Sequence, residues 1–228
     1  MTEQYSISGR INILRQALAS DKNKVAFLLG AGCPLSIKDA KDIPLIPDIA
    51  GLTKFVCDII DQEQIDKIRT GIKPIGSRSI TIEDILSRTR LLIDAIGESE
   101  FDGLRQNDLV DMEKLICEKI TAVVNKELPD KITSYHNFSA WISGIPREHS
   151  VEIFTTNYDL LIESSLESKN IPYFDGFIGS KNAFFDLHSI EYEKLPARWI
   201  KLWKLHGSIN WWVDEKGKVF RGNSEQAG

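Results

Sequence analysis

Lys24-Val25-Ala26-Phe27-Leu28-Leu29-Gly30-Ala31-Gly32-Cys33 is the stretch that decides the fold. Val25 to Leu29 carry no charge and read as a fully buried strand, and two glycines with one alanine between them end it in a turn where backbone approaches a ligand closely. N–H groups that point outward from such a turn, at the start of a following helix, attract phosphate. The third glycine of the dinucleotide fingerprint is absent, and a tight structural turn explains the same residues. At this point phosphate binding and plain chain reversal stand side by side.

The 228 residues are enough for one α/β domain with a sizeable core and an inserted subdomain. With 42% apolar and 27% charged residues the composition is globular. No uncharged stretch is long enough to span a bilayer, and Met1-Thr2-Glu3-Gln4-Tyr5 lacks the basic-then-apolar order of a secretion signal, so a cytoplasmic location without membrane contact is expected. A net charge of −5 argues against a surface that coats nucleic acid, and no direct nucleic-acid binding is expected. Cys33, Cys57 and Cys117 are far apart and form no C-x-x-C pair, which excludes a four-cysteine zinc ribbon and suits a reducing compartment.

Helical spacing of Ile11, Leu14 and Leu18 predicts an amphipathic helix from Ser8 to Ser20, packed on the sheet. The prolines of Ile43-Pro44-Leu45-Ile46-Pro47-Asp48 exclude regular helix there, and Pro47-Asp48 opens a helix over 49–61. From about Glu63 to Pro146 the pattern is almost wholly helical, with Thr81 and Asp84 spaced as a capping box. This span is too long for an ordinary crossover and reads as a helical insertion, 63–146, within a domain spanning 1–228. The sheet returns at Val151 to Asn157, and again at Trp199 to Leu205, which ends in His206-Gly207-Ser208. Between them, Tyr173 to Leu187 reads as an aromatic loop; after them, a hairpin is expected over 209–221 and a frayed tail over 222–228. The fold class is therefore α/β, a Rossmann-like doubly wound parallel sheet with a helical insert.

Three strand ends carry glycine or polar chemistry: Gly30-Ala31-Gly32, Thr156-Asn157-Tyr158-Asp159 and Leu205-His206-Gly207-Ser208. A parallel sheet with right-handed crossovers gathers such ends along one edge, where open α/β sheets bind their ligands. Asn157 and Asp159 are also good helix caps, and a histidine at a strand end is by default structural. Taken in order, with Pro47-Asp48 and the Thr-x-Asn-x-Asp run at Thr155 to Asp159, these residues resemble the sirtuin-like family over most of the chain from Val25 to about Trp212.

The two C-x-x-C pairs of protein-deacetylating sirtuins have no counterpart after His206-Gly207, where Ser208 leads directly into the tryptophan hairpin. That pattern is similar to the sirtuin-like domains of bacterial antiphage systems, which implies destruction of NAD+ rather than deacetylation, and no zinc. The glycine of the family's Gly-Ile-Pro-Asp element is missing before Pro47, and no strand for the adenosine half of the dinucleotide is recognisable after the His-Gly region. The sheet is therefore expected to be incomplete at its C-terminal end, either because the chain is a portion of a longer protein or because a partner supplies the rest.

The resemblance implies an NAD+ hydrolase that cleaves the nicotinamide–ribose bond in abortive infection. Asn157 and His206 are its catalytic pair, the amide orienting ribose or water and the imidazole accepting a proton near neutral pH. Gly30, Ala31, Gly32 and Cys33 cradle the pyrophosphate with Thr156, Pro47 and Asp48 nearby, and Asp159 holds the nicotinamide carboxamide. NAD+ is the substrate, and a homo-oligomer, a partner protein or a fused sensor domain is expected. The competing reading is a binding module that senses NAD+ or ADP-ribose without turnover; deacylase activity stands third.

Overall fold

The computed structural model describes residues 6–39, 41–73, 76–191 and 194–222. Its contacts divide the chain into two compact units, Met1–Cys33 with Lys126–Ala227, and Pro34–Asn125. In chain order the helices are α1 (Ile7–Ala19), α2 (Ile49–Cys57), α3 (Gln62–Arg69), α4 (Ile82–Ile96), α5 (Gln106–Val124), α6 (Ser134–Ser143), α7 (Leu161–Ser168) and α8 (Leu187–Glu191). The strands are β1 (Ala26–Leu29), β2 (Glu152–Thr155), β3 (Tyr173–Phe174), β4 (Phe177–Ile178), β5 (Ala183–Phe185), β6 (Ile200–Lys204), β7 (Trp211–Val213) and β8 (Val219–Arg221).

The first unit is built on an all-parallel sheet in the order β1-β2-β6-β3, so the chain is α/β and Rossmann-like. Alternation puts Ile153, Thr155, Leu202 and Lys204 on one face, where Ile153 and Leu202 are wholly buried. Each such side chain stabilises the fold by roughly 1.5–3 kcal/mol. Helix α6 covers this face at the β1 edge: Phe27 meets Phe138 edge-on at 5.1 Å and Trp141 at 5.8 Å. On the opposite face Leu28, Phe154 and Trp203 form one register row across three strands, and Leu28 is 71% exposed. The strand that reads as fully buried is thus an edge strand of the four, half-buried on one side and exposed on the other.

Helix α1 also differs from expectation. It buries no residue, and Ile7, Ile11, Ile13 and Leu14 stay exposed. Its three-residue apolar stripe is too short to outweigh the polar residues around it, and the helix is held at its C-terminal end, where the Arg147 guanidinium donates to the carbonyls of Leu18 and Ser20. The aromatic stretch after Tyr173 is not a loop but three short strands. One of them, β3, extends the parallel sheet; the other two join the expected β7–β8 hairpin in an antiparallel sheet, β4-β5-β8-β7. Residues 223–228, which include most of the tail expected to fray, lie outside the described residues.

The second unit contains α2 to α5 around a core of Ile65, Ile68, Ile82, Ile85, Leu109 and Ile116, all with no exposed surface. Asp48 accepts the Gly51 N–H at 2.8 Å and so starts α2, as Pro47-Asp48 predicts. The Thr81–Asp84 capping box forms at the start of α4, reinforced by two Arg78–Asp84 hydrogen bonds of 2.7 Å. Of the expected insertion 63–146, residues 63–125 fall in this unit, whereas α6 belongs to the sheet unit.

Candidate functional site

Strands β1, β2 and β6 run parallel and end in one register row, Leu29, Thr155 and Lys204. The ladder continues one step beyond, with the Thr156 N–H donating to Leu29 O at 3.2 Å and the Leu205 N–H to Thr155 O at 2.8 Å. Gly30-Ala31-Gly32-Cys33, Thr156-Asn157-Tyr158-Asp159 and Leu205-His206-Gly207-Ser208 therefore leave the same edge of the sheet side by side. Asn157 and His206 each stand two residues past that row on adjacent strands, the first half-buried and the second exposed.

The two later turns are bonded to each other. The Tyr158 carbonyl accepts the Ile209 N–H at 3.1 Å and the Ser208 hydroxyl at 3.4 Å, so the segment carrying Asn157 and the one carrying His206 form one hydrogen-bonded structure. Thr155, buried at the end of β2, fixes the next bend by accepting the Asn157 N–H on its hydroxyl at 3.1 Å. Gly207 has φ of +88°, a backbone conformation that favours glycine, and there the chain reverses immediately after His206.

Asp159 is 5% exposed, and its carboxylate accepts the Leu161 N–H at 3.0 Å where α7 begins. Burial raises its pKa above the usual carboxylate range, against the lowering effects of that hydrogen bond and of Lys204. Its side chain thus works within the protein as a helix-starting acceptor. Below it lies an ion pair that sequence reading missed: the Lys204 ammonium donates to the Asp159 carbonyl and to Glu163 at 2.9 Å, with the lysine side chain only 2% exposed. Burial pushes the Glu163 carboxyl up despite the lysine charge beside it. The signal that could have found Lys204 is period-two alternation with Ile200 and Leu202, which puts all three on the inner face.

At the glycine turn the structure departs from the expected strand–turn–helix. Cys33 N–H closes the turn on Gly30 O at 2.9 Å, and Pro34–Ser36 form a single 3-10 turn rather than an α-helix. Proline at the turn's start and the irregular run beyond it leave no continuous donor ladder to propagate. A Cβ added to Gly30 or Gly32 would meet nothing within 4 Å, so open space lies beside this backbone, and neither glycine has the positive φ that would itself require glycine. Tyr135 of α6 is buried with its hydroxyl unpartnered; burial raises its pKa, with the charges of Asp159, Cys33 and Glu163 adding. Pro47 and Asp48 lie in the other unit, where the carboxylate of Asp48 serves the start of α2.

Among the described residues no group of three or more His, Cys, Asp or Glu side chains is placed to hold a metal ion, and no helix is long and apolar enough to cross a membrane. No curated protein matches the chain. Residues 151–223, which contain β2, β6, the Asn157 turn, the His206 turn and the antiparallel sheet, match the family model described as a SIR2-like domain, so this part of the chain is similar to sirtuin-like domains.

Proposed function

We propose that the sheet edge binds NAD+ and hydrolyses its nicotinamide–ribose bond, giving nicotinamide and ADP-ribose. The observation that carries this reading is the placement of Asn157 and His206 on hydrogen-bonded turns of adjacent parallel strands, next to the Gly30-Ala31-Gly32-Cys33 turn. In the reaction the bond from the ribose anomeric carbon to the pyridinium nitrogen breaks, and its electron pair leaves with nicotinamide. The ribose ring takes on oxocarbenium character, as in other glycosidic cleavages, and water adds to the same carbon and gives up a proton.

Asn157, neutral and able both to donate and to accept, orients the ribose or the attacking water. His206, open to solvent, takes the proton. Open space beside Gly30 and Gly32 admits the pyrophosphate to backbone N–H groups, with Thr156 adjoining. Asp159 acts mainly by shaping the turn, since its carboxylate is already engaged. In the cell the consequence is depletion of NAD+ as an antiphage response, by a homo-oligomer or together with a partner protein or fused sensor domain.

The test is nicotinamide release from NAD+ by purified chain and by Asn157→Ala and His206→Ala. Each variant is expected to lose about 100-fold or more in turnover, the usual worth of a positioned acid–base or orienting group, at an unchanged melting midpoint. Unchanged turnover in both variants refutes the assignment. Stoichiometric NAD+ binding without release by the wild-type chain identifies a sensing module instead.

A further inference from the structure

Thr155 ends the inner face of β2 with a hydroxyl where packing asks for none. Ile153, two residues before it on the same face, is wholly buried, and Thr155 itself is 2% exposed. Valine has nearly the same shape and no hydroxyl, so the threonine is accounted for by what its oxygen bonds. Among the described residues that oxygen has one hydrogen bond, the Asn157 N–H donated to it at 3.1 Å.

The strand end that carries Thr155 is held on both sides. The Thr155 carbonyl accepts the Leu205 N–H at 2.8 Å next to β6, and the Thr156 N–H donates to Leu29 O at 3.2 Å next to β1. From that fixed point the turn is tied at each following residue. Asn157 is tied through its N–H to Thr155, Tyr158 through its carbonyl to Ser208 and Ile209, and Asp159 through its carbonyl to the Lys204 ammonium. The Thr155 bond is the one hydrogen bond that Asn157 makes among the described residues, and its half-buried carboxamide makes none. The backbone beneath the amide is thus fixed while both polar ends of the amide stay free for a ligand, an arrangement that spares reorganisation when a bound molecule reacts.

We propose that Thr155 is a positioning residue for the sheet-edge reaction: its buried hydroxyl sets the Asn157 peptide, and with it the angle at which the amide meets ribose or water. The inference rests on the reading of that edge as the site of NAD+ hydrolysis by Asn157 and His206. Thr155 touches no substrate and acts through Asn157 alone.

The test is steady-state nicotinamide release from NAD+ by the full chain, by Thr155→Val, Thr155→Ser and Asn157→Ala, and by the double variant Thr155→Val with Asn157→Ala. Because a displacement of about 1 Å in a positioned group costs up to about 100-fold, Thr155→Val is expected to lower kcat about tenfold with KM within about twofold of wild type. Thr155→Ser keeps the acceptor and restores most of the rate. The double variant is no slower than Asn157→Ala, since the threonine has nothing left to position. Tryptophan fluorescence on heating verifies folding, and a Thr155→Ala and Thr155→Ser pair repeats the comparison with the methyl group removed from both. An unchanged kcat in folded Thr155→Val, an effect confined to KM, equal impairment by valine and serine, or a further fall in the double variant would each overturn the proposal while leaving the NAD+ reading in place. No release by the wild-type chain, or undiminished release by both Asn157→Ala and His206→Ala, would overturn that reading and this inference with it.

Discussion

Replacing Lys204 by Met removes an ammonium that is 2% exposed and serves two acceptors at once, the Asp159 carbonyl and Glu163 at 2.9 Å. Breaking a buried pair from one side leaves the other charge uncompensated and costs about 3–5 kcal/mol, or roughly two to four decades in the folded-to-unfolded ratio. Removing both charges, in Lys204→Met with Glu163→Leu, relieves that penalty but still leaves the Asp159 carbonyl without its donor, worth about 1–3 kcal/mol. Glu163→Leu alone leaves the lysine uncompensated at a similar cost, so the double variant should be more stable than the summed singles by at least about 3 kcal/mol. All five tryptophans, Trp141, Trp199, Trp203, Trp211 and Trp212, lie in the sheet unit, so urea denaturation followed by their fluorescence reports this unit alone. Acidity gives a second reading of the same variant. Burial already raises the Glu163 pKa, and loss of the lysine raises it further, so the folded variant holds a proton there that the unfolded chain releases. The stability gained by that protonation is complete below the unfolded carboxylate value of about 4.3 and is lost as pH rises through the folded value. The deficit of Lys204→Met should be smaller in mild acid than in mild base. A loss under about 1 kcal/mol, additive singles, or a deficit independent of pH would refute this account of the buried pair.

Gly207→Ala keeps ordinary space, since its Cβ meets only a Trp211 ring carbon at 3.9 Å, but forces a side chain into φ of +88°. The expected loss is about 1–2 kcal/mol in urea denaturation, with nicotinamide release falling further than the stability loss explains, because His206 is the neighbouring residue. In the helical unit, hydrogen bonds from Arg78 hold the Asp84 carboxyl well below the usual carboxylate range, opposed by burial and helped by Thr81. A depressed folded value stabilises above the unfolded value of about 3.9 and is lost as pH falls through the folded one. Arg78→Ala should accordingly lower the stability of this unit at neutrality, the difference fading in strong acid, and move the acid-induced loss of helical ellipticity to higher pH.

The residues that announce the fold are those whose local chemistry has few alternatives. A glycine pair after an uncharged run, a capping box at Thr81 and Asp84, and a proline–aspartate helix start each constrain backbone within three or four positions, and each is found where the pattern puts it. The parallel neighbourhood of β1, β2 and β6 follows from the order of their polar ends. Strands β3, β4 and β5 escaped because two or three residues are too few to display alternation, and Phe and Tyr serve a loop equally well. Helix α1 misleads because its stripe reports amphipathicity but not whether a surface exists to receive it. Lys204 was hidden by its type: lysine in a strand suggests the solvent face, and only the phase of its neighbours contradicts that. The partnership of Tyr158 with Ser208 and Ile209 joins positions fifty residues apart and has no local signature.

The pairing of β1 with β2 has a consequence for synthesis on the ribosome. Ala26 to Leu29 have their rungs with Glu152 to Thr155, and the whole of the helical unit is translated between them. That unit has its own core and can collapse while the first strand still has no neighbour to bond with. Phe27 and Leu28 then wait as an unpaired apolar ribbon on the nascent chain. Long-range parallel pairing of this kind is slow, and the waiting strand is where a chaperone or a misfolding contact would first take hold.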